Sequence, residues 1–206
     1  MKTLLLIDAN ALIHRAFHAL PPLITPEGEP IGAIYGLSSI ILKILKNNPP
    51  QYIAAAFDRP EPTFRSQLFK DYKAHRPETS QDLISQIIKA RQIFNKFSIT
   101  TFEKAGFEAD DIIGTLVKGF QKESGLEITI LTGDLDTLQL VQGQKVKVQA
   151  PKKGISETII YDEKAVLERF GLKPKQIPDY KGLVGDTSDN IPGIPGIGPK
   201  TAAKVL

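Results

Sequence analysis

The 206-residue sequence has no cysteine, which excludes disulfides, thiolate-bound zinc and a cysteine nucleophile in one step and fits a reducing compartment. It has no apolar run approaching the roughly 18 residues of a membrane-spanning helix. The amino terminus offers only Thr3 to Ile7 ahead of Asp8, too short a stretch for a signal peptide. Together these absences predict a soluble, cytoplasmic protein with no membrane partner. A dominant charge is missing too: 26 Lys and Arg stand against 23 Asp and Glu, a formal net charge of +3. Total charge therefore neither demands nor excludes a polyanionic partner, and its distribution has to decide. What is present is a hydrophobic content of 41%, enough for one well-buried domain with room for a small appendage.

Three short, mostly apolar runs, Thr3 to Ile7, Tyr52 to Phe57 and Glu127 to Leu131, are separated by stretches long enough for helices. This reads as buried parallel strands with helical crossovers, an α/β sandwich. Ala33 to Lys46 shows helical spacing through Ile34, Leu37, Ile40, Ile41, Ile44 and Leu45, and Pro49 and Pro50 forbid continuation. A second helix is expected from Thr79 or Ser80, with Asp82 completing a capping box and Leu83, Ile84, Ile87, Ile88 and Phe94 inward. A third should begin near Ala109 and bury Ile112, Ile113, Leu116, Val117 and Phe120. Val146 to Ala150 and Glu157 to Tyr161 fit an edge hairpin. Two segments break the rhythm. Arg59 to Pro77 is polar and proline-bounded, with Arg65, Lys70, Lys73, His75 and Arg76 among Phe64, Phe69 and Tyr72, and reads as a surface excursion. From Pro174 glycine and proline crowd the chain, marking a distinct small module.

Carboxylates carry the functional signal. Asp8, Asp58 and Asp134 each follow an expected strand, and in an open parallel sheet that edge is where ligands bind, so the three should converge on one crevice. Asp136 lies two residues on. Glu108, Asp110 and Asp111 sit where the third helix begins, a position the helix dipole favours. Asp186 and Asp189 lie in the glycine-rich module, spaced to share one face if that turn is helical. One Asp at a strand end is ordinarily a cap or turn residue; nine carboxylates so placed are not. Converged, they repel one another unless cations intervene. An oxygen-only set with no Cys and only His14, His18 and His75 favours Mg²⁺ or Mn²⁺ over zinc. Two such ions roughly 4 Å apart clamp an in-line phosphoryl displacement, so phosphodiester hydrolysis is the leading chemistry.

The strings LLIDANALIHRAFHAL, FDRPEPTFR with YKAHRP, GFEADD, TGDLDTLQL and GDTSDNIPGIPGIGPKTAAKVL resemble, in order and over almost the whole chain, the successive motifs of the bacterial and phage 5′-nuclease family. That family includes the 5′→3′ exonuclease domain of DNA polymerase I and is related to the flap endonucleases. The resemblance implies a PIN-like three-layer α/β/α domain over 1–173, with a mostly parallel central sheet and a helical arch about 59–97. It implies a helix-three-turn-helix (helix-hairpin-helix) DNA-binding module over 174–206, which reads as cut short at Leu206. Carried across, the family's metal ligands fall on Asp8, Asp58, Glu108, Asp110, Asp111, Asp134, Asp136, Asp186 and Asp189, serving two ions. Glu108, Asp110 and Asp134 with Asp58 would serve one and Asp136, Asp186 and Asp189 the other, with Asp8 and Asp111 acting directly or through water.

Lys73 and Arg76 match the family's basic arch residues, placed to neutralise charge on the scissile phosphate. Arg65, Lys70 and Tyr72 on the same excursion, and Arg15 and Phe17 after Asp8, are expected to touch DNA. Aromatics such as Phe69 and Tyr72 offer stacking surfaces for unpaired bases. His14 stands where relatives commonly have an aromatic. Gly193, Gly196, Gly198 and Lys200 form a hairpin whose backbone N–H groups and following helix grip duplex phosphate without reading sequence, with Ile194 and Ile197 pinning it to its helices. Relatives also hold K⁺ on the carbonyls of this hairpin. The expected partner is DNA with a 5′ end or 5′ flap at a duplex junction, bound by a monomer in the bacterial nucleoid. In a longer protein a polymerase domain would be linked to it. Rival readings are a non-catalytic DNA-binding module, in which the acids are structural, and a PIN-type ribonuclease, which would lack arch and hairpin.

Overall fold

The absence of polar alternation in the apolar runs has a structural counterpart: both faces of each strand are covered. In β1 (Lys2–Asp8), Leu4 and Leu6 join one hydrophobic core and Leu5 and Ile7 the other. A computed structural model describes residues 1–153 and 157–206. After β1 come α1 (Ala9–Ala19), α2 (Gly32–Asn47), β2 (Tyr52–Ala56), α3 (Phe64–Leu68), α4 (Gln81–Lys96), β3 (Thr100–Phe102) and α5 (Ala109–Phe120). Next in the chain are β4 (Leu126–Leu131), a 3-10 helix at Leu135–Leu140, β5 (Val146–Lys153), β6 (Glu157–Tyr161) and α6 (Glu163–Phe170). A 3-10 turn at Pro174–Gln176 leads to α7 (Ile177–Val184), the short strands β7 (Gly185–Asp186) and β8 (Ile191–Pro192), and α8 (Pro199–Val205).

The main sheet runs β3-β2-β1-β4-β5-β6. All its pairings are parallel except β5 with β6. Helices α1, α2 and α4 cover one face, while α5, α6 and the 3-10 helix cover the other, which gives the expected three layers. The chain steps outward from β1 to β2 and β3 on one side and to β4 and β5 on the other. The carboxyl ends of β1 and β4 therefore flank a topological switch point, where an open sheet leaves a crevice.

Several local expectations are corrected. Ser80 caps α4, its Oγ accepting from Leu83 N at 3.3 Å; Asp82 then occupies the second helical position, and no capping box forms with it. Ile88 and Phe120 are exposed, while Gln86 is buried in their stead. Gln86 serves a neighbouring helix: its Oε1 accepts from Ala33 N at 2.7 Å, because α2 begins at Ile31 without a side-chain cap. The short strand β3 has no counterpart in the sequence pattern, since three exposed residues at a sheet edge leave no periodicity. The excursion carries only the five-residue α3 and turns over 70–75, with α4 supplying the remaining helix of the arch. Asp186 and Asp189 sit not on a helical face but in a β-hairpin, where Asp186 pairs with Ile191.

Candidate active site

Each sheet-edge aspartate is fixed at the start of a helix, its own next element for Asp8 and Asp134 and the more distant α5 for Asp58. Asp8 ends β1 and caps α1: its Oδ1 accepts from Ala11 N at 3.0 Å and its Oδ2 from Thr132 Oγ1 at 2.7 Å. Asp58 lies just beyond β2, and its Oδ1 accepts from Ala109 N at 2.7 Å, tying it to the first turn of α5. Asp134 caps the 3-10 helix by accepting from Asp136 N at 2.8 Å. Glu108 and Asp111 are joined at the start of α5, where Glu108 N donates to Asp111 Oδ2 at 3.0 Å. Capping and ligation use the same residue types, so local folding rules deliver the carboxylates to one place.

The electrostatics show that they meet. Burial, together with the charges of Asp8, Asp134, Asp58 and Glu108, pushes the Asp110 carboxyl up to about 8. Burial raises Asp8 to about 6, against the hydrogen bonds from Ala11 and Thr132 and with help from Asp58 and Asp134. Asp58 is raised mainly by burial. Asp110 Oδ1 is a buried acceptor with no hydrogen-bond partner. Among the described residues the ion pairs around the cleft go to Glu108, Asp111, Asp136, Asp186 and Asp189, and none is formed by Asp8, Asp58, Asp110 or Asp134. Such a group fits hard divalent cations: it is all oxygen and contains an orphaned carboxylate oxygen.

The second group is arranged differently. Asp136, Asp186 and Asp189 each bring an oxygen within 4.8 Å of the others. Cations are already there: Lys181 Nζ lies 2.7 Å from Asp136 and 2.6 Å from Asp186, and Arg76 lies 2.7 Å from Asp189. Burial works to raise Asp186, but hydrogen bonds from Lys181 and Ser188 win and hold its carboxyl near 2. Asp136 ends above the ordinary range, because burial outweighs its bond to Lys181. A cleft of about 280 Å³ is lined by members of both groups, Asp110 and Asp111 on α5 and Asp136 on the 3-10 helix.

The arch closes over these carboxylates. Arg65 forms a bidentate pair with Asp111 at 2.7 and 2.8 Å and approaches Glu108 at 3.6 Å. Tyr72 Oη donates to Glu108 Oε2 at 3.0 Å, and Lys73 Nζ to Glu108 Oε1 at 3.0 Å. Lys73 N donates to Asp189 O at 3.0 Å and Asn190 Nδ2 to Asp71 O at 2.9 Å, so the arch turn rests on the β7–β8 turn. Lys73 and Asn190 both adopt left-handed backbone, with φ of 56° and 59°. The Tyr72 hydroxyl is thus engaged by Glu108, Lys73 Nζ lies 4.8 Å from the centre of its ring, and Asp111 is engaged by Arg65. Lys70 and Lys200 are exposed, while Arg15 is half-buried. Phe17 packs against the core and meets His18 edge-on.

In the hairpin, Gly193 is required by backbone packing: a Cβ there would lie 2.3 Å from the Val184 carbonyl. Gly196 has φ of +83°, and Gly198 precedes α8 with open space around it. Ile194 is exposed, contrary to its expected pinning role; its backbone N–H does the joining, donating to Leu183 O at 2.8 Å. Two contributors to the site, Lys181 and Arg91, lie outside the recognisable motifs, and nothing in the string TGDLDTLQL singles out Thr132, which opens it. Arg91 stacks on Phe57 and donates to Asp58 O at 3.3 Å. Lys181 sits five residues before Asp186 and looks in sequence like any surface lysine.

Comparison with known proteins gives two family matches in tandem. Residues 3–171 match the 5′-3′ exonuclease N-terminal resolvase-like domain, and residues 172–206 match the 5′-3′ exonuclease C-terminal SAM fold. The chain is 43% identical over 205 residues to DNA polymerase I of Bacillus subtilis, covering 100% of this chain and 23% of that protein. It is 40% identical over 206 residues to a 5′-3′ exonuclease of Aquifex aeolicus, covering 69% of that protein. The chain thus spans less than a quarter of the polymerase it matches. Its fold is shared with a bacteriophage T5 flap endonuclease solved with DNA and metal ions, at a TM-score of 0.76 and 21% identity over 99% of this chain and 74% of that one.

Proposed function

The chain belongs to the 5′-3′ exonuclease family, and from that premise we propose that it hydrolyses DNA phosphodiester bonds at 5′ ends and 5′ flaps with two divalent ions, Mg²⁺ or Mn²⁺. The observation that carries this reading is Asp110: a buried carboxyl with an unpartnered oxygen, surrounded by Asp8, Asp58, Asp134 and Glu108. Mutually repelling carboxylates gathered around an unpartnered oxygen are the arrangement that a divalent cation relieves. Glu108, Asp110 and Asp134 with Asp58 hold one ion; Asp136, Asp186 and Asp189 hold the other; Asp8 and Asp111 act directly or through water. When bound, the pair of ions supplies an activated water and stabilises the leaving oxygen.

The protein's own part is to position and neutralise. Lys73 and Arg76, now paired with Glu108 and Asp189, reach the carboxylates from the arch side, and they turn to the scissile phosphate when DNA enters. The β7–β8 hairpin and the loop Gly193 to Gly198 grip duplex backbone, with Lys200 beside them and K⁺ on the hairpin carbonyls. Arg15, Arg65 and Lys70 complete the phosphate contacts. The domain acts as a monomer at 5′ junctions in the nucleoid, with a linked polymerase domain as its partner in a full-length protein.

Incubating the protein with a 5′-flap DNA and an RNA hairpin, each with Mg²⁺ or EDTA, tests the reading. Cleavage of the flap DNA alone, abolished by EDTA, is expected. Binding without cleavage would instead identify a DNA-binding module, RNA cleavage a ribonuclease, and cleavage that survives chelation would overturn the mechanism.

A further inference from the structure

The two acidic groups differ in one respect that the two-ion reading does not explain. Of the four carboxylates assigned to the first ion, Asp58, Asp110 and Asp134 stand outside the ion pairs found among the described residues and Glu108 alone is paired, with Lys73 and Arg65, whereas two of the three assigned to the second, Asp136 and Asp186, share one ammonium, that of Lys181. Its ammonium lies 2.7 Å from Asp136 Oδ1 and 2.6 Å from Asp186 Oδ2, and so joins the 3-10 helix to the β7–β8 hairpin. We propose that Lys181 is a built-in counter-ion of the second metal position, holding Asp136 and Asp186 together until a divalent ion displaces it, so that this position binds more weakly and fills second.

This rests on the two-ion reading above. The chemistry is competition for the same oxygens: an ammonium with three donors on a flexible four-carbon stem neutralises carboxylates without fixing them, and can swing aside. The carboxylate of Asp186 keeps its place without it: Asp186 Oδ1 is held independently by Ser188 N at 2.8 Å and Ser188 Oγ at 2.6 Å. For Asp136 it is the backbone that is anchored, through its N–H to Asp134 Oδ1. Arg76 is engaged at Asp189, so the cation paired with both Asp136 and Asp186 is Lys181. The device gives an order of assembly. The first position, where among the described residues Glu108 alone of its four carboxylates is ion-paired, takes its ion first; the second is filled only when the ion outcompetes Lys181 at two carboxylates, and the freed ammonium then stands beside the cleft as a cation for phosphate.

The test is Mn²⁺ binding to the DNA-free protein, counted by electron paramagnetic resonance of free Mn²⁺ and by calorimetry, for wild type, Lys181→Met and Lys181→Arg. Wild type should bind one ion tightly and a second weakly. Lys181→Met should tighten the second by about tenfold or more, the scale of losing one charge-assisted pair, and leave the first unchanged. Lys181→Arg, which keeps the charge, should stay weak. Thermal melting gives a second readout: Lys181→Met should melt below wild type without metal and gain more from added Mn²⁺. Equal second-site affinity in wild type and Lys181→Met, with equal Mn²⁺ gains in melting, would overturn the counter-ion role alone. Absence of a second ion from all three proteins would overturn the two-ion reading and this proposal with it.

Discussion

Replacing Asp110 by Asn should stabilise the metal-free protein while removing its capacity to bind an ion at the first position, a reversal of the usual effect of substituting a buried polar residue. The carboxyl is held at about 8 instead of 3.8, so the folded state binds its proton more tightly than the unfolded state does. Its contribution to stability is therefore fully present below about 3.8 and is lost as pH rises through about 8. At about 1.4 kcal/mol for each pH unit, keeping this group in place at pH 7 costs up to about 4 kcal/mol. Asp8, raised to about 6 beside it, shares protons with it, which cuts the part removable at one residue to about 2 kcal/mol. Asn breaks no hydrogen bond at Oδ1, which has none to lose. Urea unfolding in EDTA should show Asp110→Asn more stable by about 2 kcal/mol at pH 8, or about 4–8 °C in melting temperature, with a smaller gain at pH 5. Saturating Mg²⁺ should reverse the order, since only wild type gains from an ion at the first position. A variant less stable than wild type in EDTA at pH 8, or a gain independent of pH, would refute the electrostatic reasoning.

Other substitutions separate the working parts. Lys73→Ala should lower single-turnover cleavage by about a hundredfold or more, and a loss of DNA affinity alone, with single-turnover cleavage unchanged, would contradict a catalytic role. Gln86→Leu should destabilise the fold by about 1–3 kcal/mol, because Ala33 N–H is left buried without an acceptor; its Mg²⁺-dependent cleavage per folded molecule should match wild type, checked by combining urea melts with single-turnover rates. Gly193→Ala should spread the hairpin, because the added methyl meets the Val184 carbonyl at 2.3 Å, and weaken duplex binding at constant salt while leaving Mn²⁺ affinity at the sheet-edge group unchanged.

Much of this architecture is legible in sequence because the underlying rules are local. Runs such as Thr3 to Ile7 are continuous and apolar because both faces of the sheet are covered, and the aspartates at the ends of β1 and β4 also cap the helices that come next. The carboxylates can therefore be placed by topology alone. The features without a sequence signal depend on partners distant along the chain. Gln86 reads as the polar side of α4 until α2 is seen to begin beside it without a cap of its own. Nothing in the spacing of Tyr72 announces that its hydroxyl donates to Glu108. Lys181 matters because the 3-10 helix and the β7–β8 hairpin bring Asp136 and Asp186 to it, and no periodicity records that. The arch misleads for a related reason: residues 70–75 form turns held by ion pairs to the carboxylates beneath.

The central claim, that the converged carboxylates hold the ions that cleave DNA, is tested most directly by single-turnover cleavage of a 5′-flap DNA at saturating Mg²⁺ with Asp134→Asn. Asp134 caps the 3-10 helix through Oδ1, a bond an amide oxygen preserves, so the fold and DNA binding should persist. Cleavage should fall by at least about a hundredfold; turnover near that of wild type would contradict the account.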